Sequence, residues 1–157
     1  MGDKGKKAKG KREKHAIMRT QPKASVKSVR HREDPDKAIN KTPVWVFSVL
    51  DEDGPWGKTK LEDGAVWREI LPKIRSYETM TWGQIDADRT HNHFIQYDSL
   101  IKDARDRFDE LDLDVDQLFR FRFTGEQRLW GIREREIFKI LWWDPHHEVC
   151  PSTLKHT

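Results

Sequence analysis

Alternation of apolar and polar residues over residues 118–150 predicts a three-stranded antiparallel meander. In residues 118–123 phenylalanines alternate with arginines, which is the period-2 pattern of a strand with one buried face and one wet face. Gly125 supplies a turn, and residues 128–133 form the second strand. Residues 137–143 are an almost continuous apolar run, as expected of a strand that is covered on both faces.

Upstream of the meander, the apolar pattern predicts one strand and a helix. Residues 44–50 are rich in β-branched and aromatic side chains, as strands are. Asp63 is a credible N-cap for a helix that ends near Tyr77. One face of that helix carries an apolar stripe made of Trp67, Ile70, Leu71, Ile74 and Tyr77. Pro72 lies on the other side and is expected to kink the helix.

A second helix is predicted before the meander. Thr81 caps a short helical turn, and residues 94–95 lead into the helix, whose N-cap is Asp98 or Ser99. The apolar face of this helix consists of Ile101, Ala104, Phe108 and Leu111. The order of strand, helix, helix and three strands indicates an α+β fold, in which two or three helices pack on one face of a small antiparallel sheet.

Charge is unevenly distributed along the 157 residues. Charged residues make up 36% and apolar residues 35% of the chain, which is too little apolar surface for a core over the whole length. Residues 1–42 carry 14 Lys and Arg against 5 Asp and Glu, a net charge of +9, so the total of +3 leaves −6 for residues 43–157. We therefore predict a disordered basic arm, 1–42, and a single α+β domain, 43–157. The arm residues expected to contact nucleic-acid phosphates are Lys6, Lys7, Lys9, Lys11 and Arg12.

Cysteine content and hydropathy predict the cellular compartment of the protein. The single cysteine, Cys150, forms no internal disulfide, which indicates a reducing environment. No apolar stretch approaches the roughly 20 residues that span a bilayer, and the N-terminus lacks the apolar segment of a secretory signal. We expect a cytoplasmic protein with no membrane partner. Seven tryptophans indicate a small core of large rings, a stacking surface, or both.

Polar residues at one end of the meander are the leading candidates for catalysis. Arg128 starts the second strand, and His146 and His147 follow its antiparallel neighbour, so pairing of position 128 with about position 142 brings them together. A guanidinium binds phosphate bidentately, and an imidazole exchanges a proton near neutral pH. Carboxylates that could act as a base or orient a histidine are Glu126, Asp144 and Glu148. Alternatively, Arg128 is a solvated strand residue and the histidines belong to a mobile tail.

Two further groups of residues could bind ligands. If Arg120 and Arg122 face solvent, they form a positive ridge for nucleic acid next to Arg128 and Arg133, although an edge strand kept soluble by charge has the same pattern. His91 and His93 are candidate zinc ligands together with the histidines and the cysteine after the meander. No CxxC or HExxH spacing supports such a site, so no metal or other cofactor is expected.

The segment GEQRLWGIREREIFKILWWDPHHEV resembles the closing strands of the RelE/ParE-like toxins of bacterial toxin–antitoxin systems. The order of elements resembles theirs over residues 43–150, and the motif-like part lies in residues 118–150. The resemblance implies a RelE-like fold, an antitoxin partner, and metal-independent cleavage of mRNA by attack of the ribose 2′-hydroxyl, usually on the ribosome. It implies that Arg128 binds the scissile phosphate and that His146 or His147 is the general acid or base. The ending also resembles uncharacterised bacterial and phage-associated proteins that close in WWDPxH.

Three functional hypotheses follow. The leading one is a toxin-type RNA endonuclease, with Arg128, Glu126 and the two histidines at its site and the basic arm on RNA or the ribosome. The alternative is a non-catalytic module of a mobile element, which binds nucleic acid or a protein through the arm and the sheet edge. A third is a metal-dependent nuclease that uses His91 and His93.

Overall fold

The computed structural model describes residues 35–61 and 64–152. Within these residues the α-helices are α1 (Pro35–Ile39), α2 (Leu71–Tyr77), α3 (Trp82–Ala87) and α4 (Lys102–Glu110). The same residues contain 3₁₀ helices at Lys58–Leu61 and Tyr97–Ser99 and a π-helix at Val66–Ile70. The strands are β1 (Val44–Val46), β2 (His93–Gln96), β3 (Gln117–Arg122), β4 (Arg128–Glu134) and β5 (Ile137–Asp144).

The strands form one mixed sheet in the order β1-β5-β4-β3-β2. β3, β4 and β5 are the predicted antiparallel meander, and β2 adds antiparallel to β3. β1 runs parallel to β5, with Val44 opposite Ile137, so the prediction of a purely antiparallel sheet is wrong. A parallel pair needs a long crossover connection, and here all the other elements of the sheet lie between the two strands in sequence. The α+β class itself is confirmed.

Both faces of the sheet are covered, whereas the sequence predicted helices on one face only. The first core cluster packs α2 and α3 against one face, and its large buried side chains include Trp82, Phe119, Phe121, Phe138 and Trp143. The second core cluster packs α4 against the other face, and it includes Ala104, Phe108, Leu118, Trp130 and Trp142. Five of the seven tryptophans are buried, which confirms a core built from large rings.

The helix predicted over residues 63–77 is present over residues 65–77, but its first part is a π-helix. Asp63, its expected N-cap, lies outside the described residues. A π-helix, Val66–Ile70, comes first, and Pro72 stands in the first turn of α2. Pro72 has no N–H for the carbonyl four residues earlier, and the wider π turn before it accommodates this missing hydrogen bond. The apolar stripe loses a member as a result, since Trp67 is 74% exposed.

The segment before α4 is a strand and not the start of a helix. Residues His93–Gln96 form β2, and a 3₁₀ turn separates this strand from α4. α4 begins after Ile101, so the predicted N-caps Asp98 and Ser99 are wrong. The short alternating run was too brief for its period to be distinguished from that of a helix.

Two other helix predictions are confirmed. α3 begins with a capping box, in which the Thr81 hydroxyl accepts the Gln84 N–H and the Gln84 side chain accepts the Thr81 N–H. In α4, Ala104 and Phe108 are buried, as the predicted apolar face requires.

Most of the predicted arm, residues 1–34, lies outside the described residues. The five basic residues expected to contact nucleic acid belong to that part: Lys6, Lys7, Lys9, Lys11 and Arg12. Residues 35–42 contain α1, where Ala38 is buried, and Lys41, whose ammonium lies 2.6 Å from the Glu136 carboxylate. Among residues 35–61 and 64–152, no helix is long and apolar enough to cross a membrane.

Candidate functional site

Three arginines of the meander, Arg120, Arg122 and Arg128, form what we call the arginine group. Arg122 and Arg128 are cross-strand partners on β3 and β4, and Arg128 is opposite Asp144 of β5. Paired residues point to the same face of a sheet, and so do residues two apart on one strand. The three guanidiniums and the Asp144 carboxylate therefore share one face.

The register differs from the prediction, since Arg128 is opposite Asp144 and not residue 142. A β-bulge interrupts the pairing after Trp130, where Leu141 enters β5 as an extra residue. Leu141 and Trp142 both join the second core cluster as a consequence. The bulge moves the end of β5 along β4 and so brings Asp144 into line with Arg128.

Arg128 is nearly buried, with 5% of its surface exposed. Its Nη1 donates to the backbone carbonyls of Gly125 at 2.8 Å and Gln127 at 3.0 Å. Its Nε has no hydrogen-bond partner within the described part of the chain. Burial, together with the positive charges of Arg120 and Arg122, lowers the pKa of Arg128 to about 10. The guanidinium is therefore still charged at pH 7.

Arg120 is the second buried guanidinium. It is 9% exposed, so the condition on which the solvent-facing ridge depended is not met at Arg120. Its Nη2 lies 3.3 Å from Nε2 of His93, the cross-strand partner of Arg120 on β2. A guanidinium only donates, so Nε2 accepts and the neutral His93 ring carries its proton on Nδ1. Burial and the charge of Arg120 lower the pKa of His93, which favours this neutral form.

The Asp144 carboxylate is buried and its oxygens are occupied by other donors. Oδ1 accepts the Glu148 N–H at 2.8 Å, and Oδ2 accepts the Val149 N–H at 3.1 Å and the Trp130 Nε1–H at 3.4 Å. These hydrogen bonds hold the chain that follows β5 against the sheet. The carboxylate therefore serves chiefly to fold this segment back.

His147 lies in the turn after β5, with a backbone φ of 57°. Its Nε2 is buried and has no hydrogen-bond partner among the residues described. Burial lowers the pKa of His147, and the charges of Arg128 and Arg120 lower it further, while Asp144 acts in the opposite direction. The ring is therefore neutral at pH 7 and lies within electrostatic reach of the arginine group.

The other two predicted catalytic residues lie at the surface. His146 and Glu126 are both exposed, and the Glu126 carboxylate acts on Arg128 as a nearby charge. The structure thus brings Arg128 and His147 into one electrostatic environment and leaves His146 and Glu126 in solvent. The catalytic roles of all four residues stay predictions.

Arg133 belongs to the opposite face of the sheet. It donates to both carboxylate oxygens of Asp86, at 2.6 Å and 3.0 Å, and its Cζ lies 3.9 Å from the centre of the Trp82 ring. Its predicted contact with nucleic acid is therefore not part of a common ridge with Arg120.

The histidines considered as metal ligands have other partners. In the described residues, no set of three or more His, Cys, Asp or Glu side chains is arranged to hold a metal ion. His91 Nδ1 lies 2.8 Å from the Asp88 carboxylate, and His93 contacts Arg120. Burial raises the pKa of the free Cys150 thiol, so the thiol is protonated at pH 7.

The arginine group and His147 form a site suited to an anion. A buried guanidinium N–H without an acceptor is unfavourable, and within the described residues this applies to Nε of Arg120 and of Arg128. Phosphate oxygens are the acceptors that arginine forks recognise best. A neutral imidazole beside a bound phosphate ester can accept a proton.

A second buried charged group was missed in the sequence. Asp51 is 1% exposed and accepts hydrogen bonds from Arg107 at 2.9 and 2.6 Å, from Trp142 Nε1 at 2.9 Å and from the Gly54 N–H at 2.8 Å. We call these four residues the Asp51 group. Burial alone raises the pKa of Asp51, but the hydrogen bonds outweigh burial and lower it to about 2. The sole sequence signal was the turn cluster at residues 51–55.

No family model, curated protein or solved structure matches this chain. The resemblance to RelE/ParE-like toxins therefore stays a prediction, and so do the RNA, ribosome and antitoxin partners. The site has to be interpreted from its own geometry.

Proposed function

We propose that the protein is a metal-independent RNA endonuclease of the toxin type, with the arginine group and His147 at its site. The observation that carries the proposal is a pair of nearly buried guanidiniums, Arg120 and Arg128, whose Nε–H groups lack acceptors in the described residues and whose charges act on a neutral imidazole. A phosphodiester supplies anionic oxygens for the arginines, and the ribose beside it supplies a proton for the imidazole. The basic arm would hold RNA or the ribosome, and an antitoxin protein would restrain the enzyme.

The reaction would be attack of a ribose 2′-hydroxyl on the neighbouring phosphorus. His147 takes the proton of the 2′-hydroxyl as the P–O2′ bond forms. The P–O5′ bond breaks, water protonates the leaving oxygen, and the products are a 2′,3′-cyclic phosphate and a 5′-hydroxyl. The arginine group stabilises the charge that develops on the non-bridging oxygens. His147 suits the base more than the acid, because its lowered pKa keeps it unprotonated at pH 7.

A second candidate function is binding of nucleic acid without cleavage. It is favoured by the hydrogen bonds from Arg128 Nη1 to the Gly125 and Gln127 carbonyls, which give this buried side chain a structural role in the turn. In that case Arg122, which is partly exposed, and the basic arm would contact phosphates, and affinity would fall steeply with salt.

Cleavage of a labelled RNA by the full-length protein in the presence of EDTA tests the first function. The wild type is expected to cut, and a 2′-deoxynucleotide at the cleavage position should abolish the reaction. Arg128→Ala is expected to lower the rate by about 10²–10³-fold, the usual effect of removing a donor to a transition-state oxyanion. His147→Gln is expected to lower it by about 10²–10⁴-fold.

Arg75→Ala is the matched control, since Arg75 is an exposed arginine of α2 and lies outside the arginine group. This variant should cut RNA as the wild type does. Arg128→Lys keeps the positive charge, and it replaces Arg128→Ala in the test if Arg128→Ala does not fold. Salt-sensitive binding by a wild type that never cuts RNA would support the second function and refute the first.

A further inference from the structure

A cavity of about 350 Å³ lies at the open edge of the sheet, beside β2. Its volume is in the range of roughly 300–1,000 Å³ that small-molecule sites occupy. The lining includes side chains of α3, β2, β3 and β4, and the loop before β2 adds a second cation: Asp86, His93, Phe94, Phe119, Arg133 and the loop residue Arg89.

The walls of this cavity favour a planar aromatic ligand. Phe94 is 41% exposed, and its ring meets the Phe119 ring edge to face, with 5.0 Å between the centroids. The Arg133 guanidinium lies 5.9 Å from the centre of the Phe94 ring. Nucleobases stack on aromatic side chains and on guanidinium planes.

Asp86 and Arg133 give the cavity a fixed polar edge. Their two hydrogen bonds, 2.6 and 3.0 Å long, and the stacking of Arg133 on Trp82 fix the carboxylate in place. The Asp86 side chain is 39% exposed, and each of its oxygens retains a lone pair that Arg133 does not use. Because the Arg133 fork occupies the side of the carboxylate where both oxygens face one donor pair, the remaining lone pairs point outward, and guanine can donate one of its two adjacent N–H groups to one oxygen without bringing a carbonyl oxygen against the other. Uracil presents one N–H between two carbonyl oxygens, which a carboxylate repels.

His93 connects the cavity to the arginine group. It lines the cavity, and its Nε2 lies 3.3 Å from Nη2 of Arg120. Consecutive residues of a strand point to opposite faces, so His93 and Phe94 straddle the sheet edge. A nucleotide bent around this edge would have its base at Phe94 and its phosphate at Arg120.

Another cavity, of about 470 Å³, does not suit the same ligand. Asp98, Asp109 and Asp116 line it, together with apolar side chains. Three carboxylates repel a phosphate, so a nucleotide is expected at the β2 edge and not here.

We infer that the cavity beside β2 is a nucleobase subsite that prefers guanine, while the arginine group holds the phosphate of the same nucleotide. The inference rests on the proposed function for the identity of the ligand. Binding can nevertheless be measured without any cleavage.

Titration of the full-length protein with GMP, UMP and inorganic phosphate, followed by calorimetry, tests the subsite. GMP is expected to bind about tenfold more tightly than inorganic phosphate, because stacking on an aromatic side chain contributes a factor of roughly 5 to 150 per base. Phe94→Ala is expected to lower the GMP affinity to that of phosphate and to leave the phosphate affinity unchanged. Unaltered GMP affinity in Phe94→Ala would overturn the inference.

Phe47→Ala is the matched control for the ring, since Phe47 is 49% exposed and does not line the cavity. It should bind GMP as the wild type does. Phe94→Leu keeps the apolar contact without the ring, and it is expected to show the same loss if Phe94→Ala folds poorly.

Two variants, one of them a control, test the preference for guanine. Asp86→Asn is expected to bring the GMP and UMP affinities to within about threefold of one another, because a neutral amide no longer repels carbonyl oxygens. Asp106→Asn removes a carboxylate of another ion pair, that with Lys102 on α4, and should leave the GMP preference intact. Equal affinities for GMP and UMP in the wild type would refute the preference.

The two proposals fail in different ways. Phe94-dependent GMP binding without RNA cleavage would refute the proposed function and keep the subsite. RNA cleavage whose sites and rates are the same in Phe94→Ala, with unchanged GMP affinity, would refute the subsite and keep the function.

Discussion

Two groups of buried charged residues contact the second core cluster, and they differ in whether each charge has a partner of opposite sign. In the Asp51 group, a carboxylate that is 1% exposed is paired with Arg107 and accepts further hydrogen bonds from Trp142 and Gly54. In the arginine group, buried guanidiniums keep Nε–H groups without acceptors in the described residues. The one buried carboxylate beside them, Asp144, is occupied by other donors.

This difference separates a structural charge from a charge suited to binding. A buried ion pair whose hydrogen bonds are all made holds the fold in place. It has no unpaired donor or acceptor that a ligand could bind. The Asp51 group ties the loop after β1 to α4 and to β5 in this way. Buried donors without acceptors and an excess of buried positive charge lower the stability of a protein, and an anion that binds beside them offsets the charge. The arginine group therefore has the features of a binding site, although Arg128 also supports its own turn.

Asp51→Asn should be the most destabilising of the changes considered. It replaces the carboxylate that pairs with Arg107 by a neutral amide, and because the Arg107 side chain is 19% exposed and keeps its ion pair with Glu110, the expected cost is about 2–3 kcal/mol, less than for a fully buried pair. Urea unfolding monitored by circular dichroism measures the loss. Asp53→Asn is the matched control, because Asp53 is an exposed carboxylate of the same loop, and its effect should stay within about 0.5 kcal/mol. Equal losses in both variants would show that the pairing with Arg107 is not what stabilises the loop.

Acid should remove the stability that the charged Asp51 carboxylate contributes, without any mutation. The pKa of Asp51 is lowered from 3.8 to about 2, so the unfolded chain binds this proton first as the pH falls. The stability is fully present above the unfolded pKa and is lost as the pH falls towards 2, by about 2 kcal/mol in total. Unfolding free energies measured between pH 5 and 2 test this. The loss attributed to Asp51 should be missing in Asp51→Asn, and an unchanged slope in that variant would contradict the assignment.

The arginine group and the Asp51 group also differ in how far the sequence predicts them. The meander followed from the alternation in residues 118–123, and the same alternation placed Arg120 and Arg122 on one face of a strand. It could not show whether the arginine face would be covered, and so it left open whether Arg120 is buried or exposed. The contact between Arg120 and His93 was missed because the short strand β2 was interpreted as the lead-in to a helix. Asp51 and Arg107 stand 56 positions apart, and a pair so distant leaves no local pattern.

Inorganic phosphate should stabilise the arginine group specifically. At ten times its dissociation constant, a ligand that binds only the folded state adds about 1.4 kcal/mol to the unfolding free energy. Arg128→Met removes the charge and should lose this gain, while its stability without phosphate should change by no more than about 1 kcal/mol, because an unbalanced buried charge is removed. Thermal unfolding with and without phosphate at constant ionic strength measures both. Arg75→Ala should respond to phosphate as the wild type does, and an equal response in Arg128→Met would remove the case for an anion site.

The smallest expected effect is the pH dependence that His147 contributes. Its folded pKa lies below the usual 6.5, because of burial and the charges of Arg128 and Arg120, so the unfolded chain takes up this proton first as the pH falls. Stability is therefore fully present above pH 6.5 and declines below it, as a further positive charge is forced towards the arginine group. His147→Gln should unfold with a smaller loss between pH 7 and 5 than the wild type, whereas His146→Gln, a change at an exposed neighbour, should match the wild type. Phosphate should reduce the decline in the wild type alone, because the bound anion offsets the extra charge. If the unfolding free energy declined equally in the wild type and in His147→Gln, the charges of the arginine group would not act on the His147 ring. The proposed nuclease would then have no general base.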